Sequence, residues 1–146
     1  MIVLDAYGLV ALLADEPAAE EAGRLIAGNA TAVTAPNLAE AADRLGRVKG
    51  IAVQRTRSLV ESLEQSTALH IRDTRREDAW WAAEIRVAGY HRTRCPLSLG
   101  DCLLLAMTGP GERLATSDLH VLATAQARGI GWIALPDSSG QRHDPV

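Results

Sequence analysis

The run Ile2-Val3-Leu4 is too short for a helix, apolar at every position, and stopped at once by the carboxylate of Asp5. A strand with no polar alternation is one buried on both faces, which is the condition of a strand inside a parallel sheet. Similar short runs recur along the chain. Thr31 to Ala35 forms one and is ended by Pro36, and LHIRD, RLATSD and WIALP supply three more. Between them lie segments of helical composition: AYGLVALLADE, PAAEEAGRLIAG with Pro17 in its first turn, NLAEAADRLGRVKG stopped by Gly50, Ala52 to Gln65, Arg75 to Ala88, LSLGDCLLLAMTG, and LHVLATAQARG. Strands alternating with helices predict an α/β layer structure around a mostly parallel central sheet. No repeat or linker divides the chain, so residues 1–136 are read as one domain, and residues 137–146, DSSGQRHDPV, as a disordered tail.

With 146 residues the chain is large enough for one hydrophobic core. Aromatic residues are scarce and Phe is absent, so Ala, Leu and Val have to fill that core. A net charge of −3 excludes a broadly basic nucleic-acid coat but leaves room for local basic patches. Cys95 and Cys102 form no CxxC pair, so neither a disulfide framework nor a structural zinc site is expected. The N-terminus lacks the basic flank and cleavage site of a secretion signal, and no stretch reaches the roughly 20 apolar residues of a membrane helix. The expectation is a soluble cytoplasmic protein.

In an open parallel sheet the working site lies beyond the carboxyl ends of the strands. Asp5 and Asp118 stand at such ends. Glu40 lies about one turn into the helix after the second strand, and Asp101 in the first turn of the helix opened by Ser98. Each has a plainer role available. Asp5 and Asp118 are good helix N-caps, Ser98 with Asp101 has capping-box spacing, and Glu40 can pair with Arg44 one turn on. Four acids from distant segments at one sheet edge are more informative than any one of them. Such a cluster cannot stay ionised without a countercharge, and oxygen-only ligation suits a hard cation such as Mg²⁺ or Mn²⁺. A site of that kind polarises a phosphodiester, activates water and stabilises the leaving oxygen.

On IVLD with Asp5, PNLAEAADRL with Glu40, LSLGDCLLLA with Asp101 and LATSD with Asp118, the chain resembles PIN-domain proteins, and among them the toxins of VapBC-type toxin–antitoxin pairs. The resemblance extends to about Pro136. It implies a three-layer α/β/α sandwich and an endoribonuclease whose acidic quartet, here Asp5, Glu40, Asp101 and Asp118, binds Mg²⁺ or Mn²⁺ and cleaves RNA. It also implies supporting hydroxyls at Ser98 and Thr116, a homodimer, and an antitoxin held in a groove of the early helices. The apolar face of AYGLVALL and the segment from Leu38 to Val48 are the candidates for that groove. The sequence departs from the family at Tyr7, where Ser, Thr or Asn is usual; a phenol can still donate a hydrogen bond there, from a different distance.

Basic residues cluster at Arg44, Arg47, Lys49, Arg55 and Arg57, at Arg72, Arg75 and Arg76, and at Arg86, Arg92 and Arg94. Some of them could flank the acids and hold RNA phosphates; scattered surface arginines are the alternative. Trp80 and Trp81 lie about 100° apart on a helix, which predicts one in the core and one exposed. The histidines form no ligand motif, and His120 is read as a surface residue. Two further functions stand beside the nuclease: a PIN-like binding module without catalysis, acting through its partner, and a phosphatase or receiver-type domain with Asp5 as nucleophile. The latter expects a second acid where Tyr7 stands.

Overall fold

The computed structural model describes residues 1–28 and 30–145. Five strands, β1 (Ile2–Leu4), β2 (Thr31–Thr34), β3 (Leu69–Arg72), β4 (Arg113–Thr116) and β5 (Gly131–Ala134), pair entirely in parallel in the order β3-β2-β1-β4-β5. The chain winds outward from β1 to β3, crosses back, and continues from β4 to β5 on the other side. The winding therefore reverses between β1 and β4, the place where a parallel sheet opens a crevice at its carboxyl edge.

Among the described residues seven helices cover the sheet: α1 (Ala6–Ala14), α2 (Ala19–Gly28), α3 (Ala35–Lys49), α4 (Val53–Gln65), α5 (Arg76–Gly89), α6 (Leu99–Met107) and α7 (Leu119–Ala127). Side-chain alternation along the strands divides the core into two. Ile2 and Leu4 of β1 point into a cluster with Leu9, Val10, Leu45 and Val60 from α1, α3 and α4. Val3 points the other way, against Ile85, Leu104, Leu105 and Val121 from α5, α6 and α7. Such a period-two split with apolar residues on both faces requires helices on both sides. The architecture is the three-layer α/β/α sandwich.

The local signals acted largely as expected, with some boundary shifts. The second strand ends at Thr34, and Pro36 sits inside the first turn of α3, where its missing N–H costs no intrahelical bond. Gly50 closes α3 with φ +69°, a conformation that favours glycine. Trp80 and Trp81 are both exposed, at 64% and 52%. The inward positions of α5 are Asp78, Ala82 and Ile85, and neither indole falls on that stripe. On α1, Ala6 to Ala11 are buried in the domain's own core, which removes most of that helix as a partner-binding face.

Residues 137–145, read from the sequence as part of a disordered tail, make specific contacts. Asp137 accepts hydrogen bonds from the backbone N–H of Ser139 (2.8 Å) and Gln141 (3.0 Å), and Arg142 pairs with Glu21 of α2. Val146 lies outside the described residues. Among the described residues no helix is long and apolar enough to cross a membrane.

Candidate active site

Asp5 leaves β1 as the N-cap of α1 and is buried, with 8% of its surface exposed. Its Oδ1 accepts from the Gly8 N–H at 2.7 Å, and its Oδ2 accepts from the Thr116 hydroxyl at the end of β4. Thr116 Oγ1 in turn accepts from the Asp118 N–H at 3.1 Å. This hydroxyl ties the first and last acids of the set together across the β1/β4 crevice.

Asp118 caps α7, its Oδ1 accepting from the N–H groups of His120 (2.7 Å) and Val121 (3.2 Å). Ser98 and Asp101 form a reciprocal capping box at the start of α6: Asp101 N–H donates to Ser98 Oγ at 3.0 Å, and Ser98 N–H donates to Asp101 Oδ2 at 2.7 Å. The capping roles are therefore real for three of the four acids. They engage Oδ2 of Asp101 and Oδ1 of Asp118, and the second oxygen of each makes no hydrogen bond among the described residues.

Glu40 arrives from α3 and caps nothing. Its Oε2 lies 3.0 Å from the place a Cβ on Gly100 would occupy, so α3 and α6 meet at a glycine in the first turn of α6. All four acids line one cleft of about 210 Å³, together with Tyr7 and Asn37. Sequence reasoning assigned no part in the site to four other polar lining residues, Asn37, Ser117, Asp137 and Ser138, whereas Arg44 belongs to the basic cluster read as able to flank the acids. Asn37 was detectable: its backbone N–H donates to Thr34 Oγ1 (3.3 Å) and its side chain accepts from that hydroxyl (2.6 Å), a pairing set by the three-residue spacing after the α3 N-cap. Asp137 follows the fifth strand as Asp118 follows the fourth, so the same strand-end rule would have found it.

The electrostatics report the crowding. Burial, with the nearby negative charges of Asp101 and Asp118, pushes the Asp5 carboxyl from its ordinary 3.8 up to about 7, against the hydrogen bonds from Thr116 and Gly8 that favour its ionised form. Asp101 is raised by burial and by Asp118, with its Ser98 bonds and His120 opposing. Glu40 is raised by partial burial and by Asp101, and Arg44 opposes. His120 is half-buried, and its charge is among those that oppose the rise of Asp101.

Tyr7 lines the cleft but does not bond to the acids. Its Oη is buried beside Glu16 rather than bonded to the four acids, and burial together with Glu16 and the charge of Asp137 pushes the phenol up to about 12. Among the described residues no three His, Cys, Asp or Glu side chains stand close enough together to hold a metal ion. The donor chemistry nevertheless fits one hard divalent cation: oxygen atoms only, unused oxygens on two capping acids, and carboxylates raised chiefly by burial and further by one another.

Several of the sequence's basic residues are engaged elsewhere. Arg72 forks onto Glu112 (2.8 Å to each oxygen) and the Met107 carbonyl (2.5 Å), Arg75 onto Asp78, Arg47 onto Asp43, and Arg57 pairs with Glu61.

Comparison with known proteins bears on the whole arrangement. No curated protein matches the sequence. Among solved structures, VapC20 of Mycobacterium tuberculosis, described as a sarcin-ricin loop cleaving toxin, superposes with a TM-score of 0.58 at 19% identity, covering 89% of this chain and 85% of its own. FitAcB from Neisseria gonorrhoeae superposes with a TM-score of 0.63 at 19% identity, covering 91% of this chain and 96% of its own. At that identity the likeness is one of fold. The family profile described as the PIN domain matches residues 2–139, from the first strand to beyond the last, and the chain belongs to the PIN domain family.

Proposed function

We propose that this protein is a metal-dependent endoribonuclease and the toxin of a toxin–antitoxin pair. The PIN family is a family of nucleases, and VapC20, a structural neighbour, is described as a sarcin-ricin loop cleaving toxin. The observation that carries the reading is the convergence of four carboxylates from four distant segments on one cleft at the β1/β4 reversal, with Asp5 pushed up to about 7. Asp5 and Asp101 would be the main ligands of Mg²⁺ or Mn²⁺, with Asp118 a further ligand and Glu40 a ligand or the group that orients water. A bound divalent cation would polarise the phosphodiester and offset charge on the leaving oxygen. Thr116 holds Asp5 and Asp118 in register, Ser98 holds Asp101, and Gly100 lets Glu40 reach α6. The same reading includes a homodimer and an antitoxin partner in the cytoplasm; the exposed apolar residues Trp80 and Val87 of α5, with Tyr90 just past its end, suit a protein interface.

Cleavage of RNA with added Mg²⁺ or Mn²⁺, against EDTA and Asp5→Asn controls, tests the proposal. Metal-dependent products ending in 5′-phosphate and 3′-hydroxyl are expected, and a 2′,3′-cyclic phosphate would overturn the mechanism. One observation favours the alternative of a non-catalytic binding module, namely that among the described residues no three acids stand within metal-holding reach of one another. In that case RNA stays intact with either metal, and Asp5→Asn leaves growth arrest by the expressed protein unchanged.

A further inference from the structure

RNA entering the cleft meets five carboxylates, Asp5, Glu40, Asp101, Asp118 and Asp137, and a single basic side chain, Arg44, among the residues that line it. Arg44 stands one turn beyond Glu40 on α3, and Asn37, Glu40 and Arg44 follow one another at three- and four-residue spacing along the same face of the helix. Asn37 is buried, while Glu40 and Arg44 are exposed, so the row runs from the cleft wall to its rim.

The other cations of this helix end are occupied. Arg47 holds Asp43 through two bonds of 2.7 and 2.6 Å, and Lys49 holds Glu16 at 2.5 Å. Arg44 has no ion pair or hydrogen bond among the described residues, although it lies near enough to Glu40 to oppose the rise of that carboxyl. A solvent-facing guanidinium with all its donors free is suited to a phosphate, whose oxygens match its planar fork. The neighbouring acids make it the one lining residue able to offset a phosphodiester's charge at the cleft mouth.

We propose, on the nuclease reading above, that Arg44 is a substrate-binding residue that grips a backbone phosphate of the RNA at the rim of the acidic cleft. It contributes binding and register rather than bond breaking. The full chain tests this with an end-labelled single-stranded RNA of mixed sequence. Binding is measured by anisotropy in the Asp5→Asn background, which keeps the RNA intact, and cleavage is measured with Arg44 varied alone.

Arg44→Ala is expected to raise Kd and KM roughly tenfold to a hundredfold with kcat little changed, as loss of a charge-assisted bond would. It should also flatten the dependence of log K on log salt by about 0.7, the share of one phosphate contact on a single strand. Arg44→Lys should recover most of the salt slope but less of the affinity, since an ammonium keeps the charge and loses the fork. Arg24→Ala, at an exposed site on α2, removes the same net charge away from the cleft and should leave Kd within about twofold, because distant exposed charges are screened. Wild-type cleavage with Arg44→Ala indistinguishable from Arg24→Ala would overturn the assignment of Arg44 alone. A wild-type protein that neither binds nor cuts the RNA would overturn both this proposal and the nuclease reading.

Discussion

At the residue scale, the conflict within Asp5 decides the behaviour of the metal-free protein. Its carboxylate serves as a cap and accepts from Thr116, yet burial and two neighbouring acids raise its pKa from 3.8 to about 7. An acid raised on folding binds its proton more tightly in the native state. Its contribution to stability is therefore complete below about pH 4 and is lost as pH climbs through about 7. A three-unit shift corresponds to at most ~4 kcal/mol. Asp101 and Glu40 shift in the same direction. Asp78 and Glu112, lowered by Arg75 and Arg72, act below their ordinary values and fall outside that window. Thermal melts in EDTA should accordingly show stability declining between pH 4 and pH 7, with Asp5→Asn flattening the decline. A melt curve independent of pH in wild type would show that the acids do not compete for charge. The sequence identified this residue because strand ends are legible from apolar runs; Thr116 was reached as a supporting hydroxyl only through the family resemblance, and its bond to Asp5 joins residues 111 positions apart.

At the element scale, the contact of α3 with α6 rests on Gly100. Its backbone is helical, so alanine there is intrinsically favoured by up to ~1 kcal/mol, but the new Cβ would stand 3.0 Å from Glu40 Oε2. The far end of a glutamate can swing away cheaply. Gly100→Ala is therefore expected to hold or slightly raise the melting temperature while reducing RNA cleavage; equal activity would show that the position of Glu40 is not critical. On α5, Trp80→Ala should cost less than ~0.5 kcal/mol in urea unfolding, whereas enlarging buried Ala82 to Leu should cost ~1–3 kcal/mol by overpacking. The sequence prediction of one buried indole failed because adjacency fixes only their angular separation. The rotation of α5 was set by Ala82 and Ile85, which fit against α6 where an indole would not.

At the scale of the whole molecule, the winding of the sheet is what brings three capping acids and the exposed Glu40 to one cleft. Metal binding should then be linked to folding: Mn²⁺ or Mg²⁺ should raise the melting temperature, EDTA should reverse the rise, and Asp5→Asn should abolish it, since a ligand bound only by the native state stabilises it by mass action. A melting temperature indifferent to either cation would remove the metal from the reading. The alternation of short apolar runs with amphipathic segments was sufficient, by itself, to determine a parallel α/β sheet, because strands buried on both faces leave no polar positions and demand helices on each side. The same runs located Asp5 and Asp118 at strand ends and Glu40 one turn beyond another, while Asp101 was placed by the capping spacing from Ser98. The strand order β3-β2-β1-β4-β5, the cleft shared by those acids and Asp137, the burial that raises Asp5, and the place of Arg44 among the cleft's lining residues were decided only by the tertiary structure. Each of these depends on which distant segments come to lie side by side, and local periodicity carries no record of that.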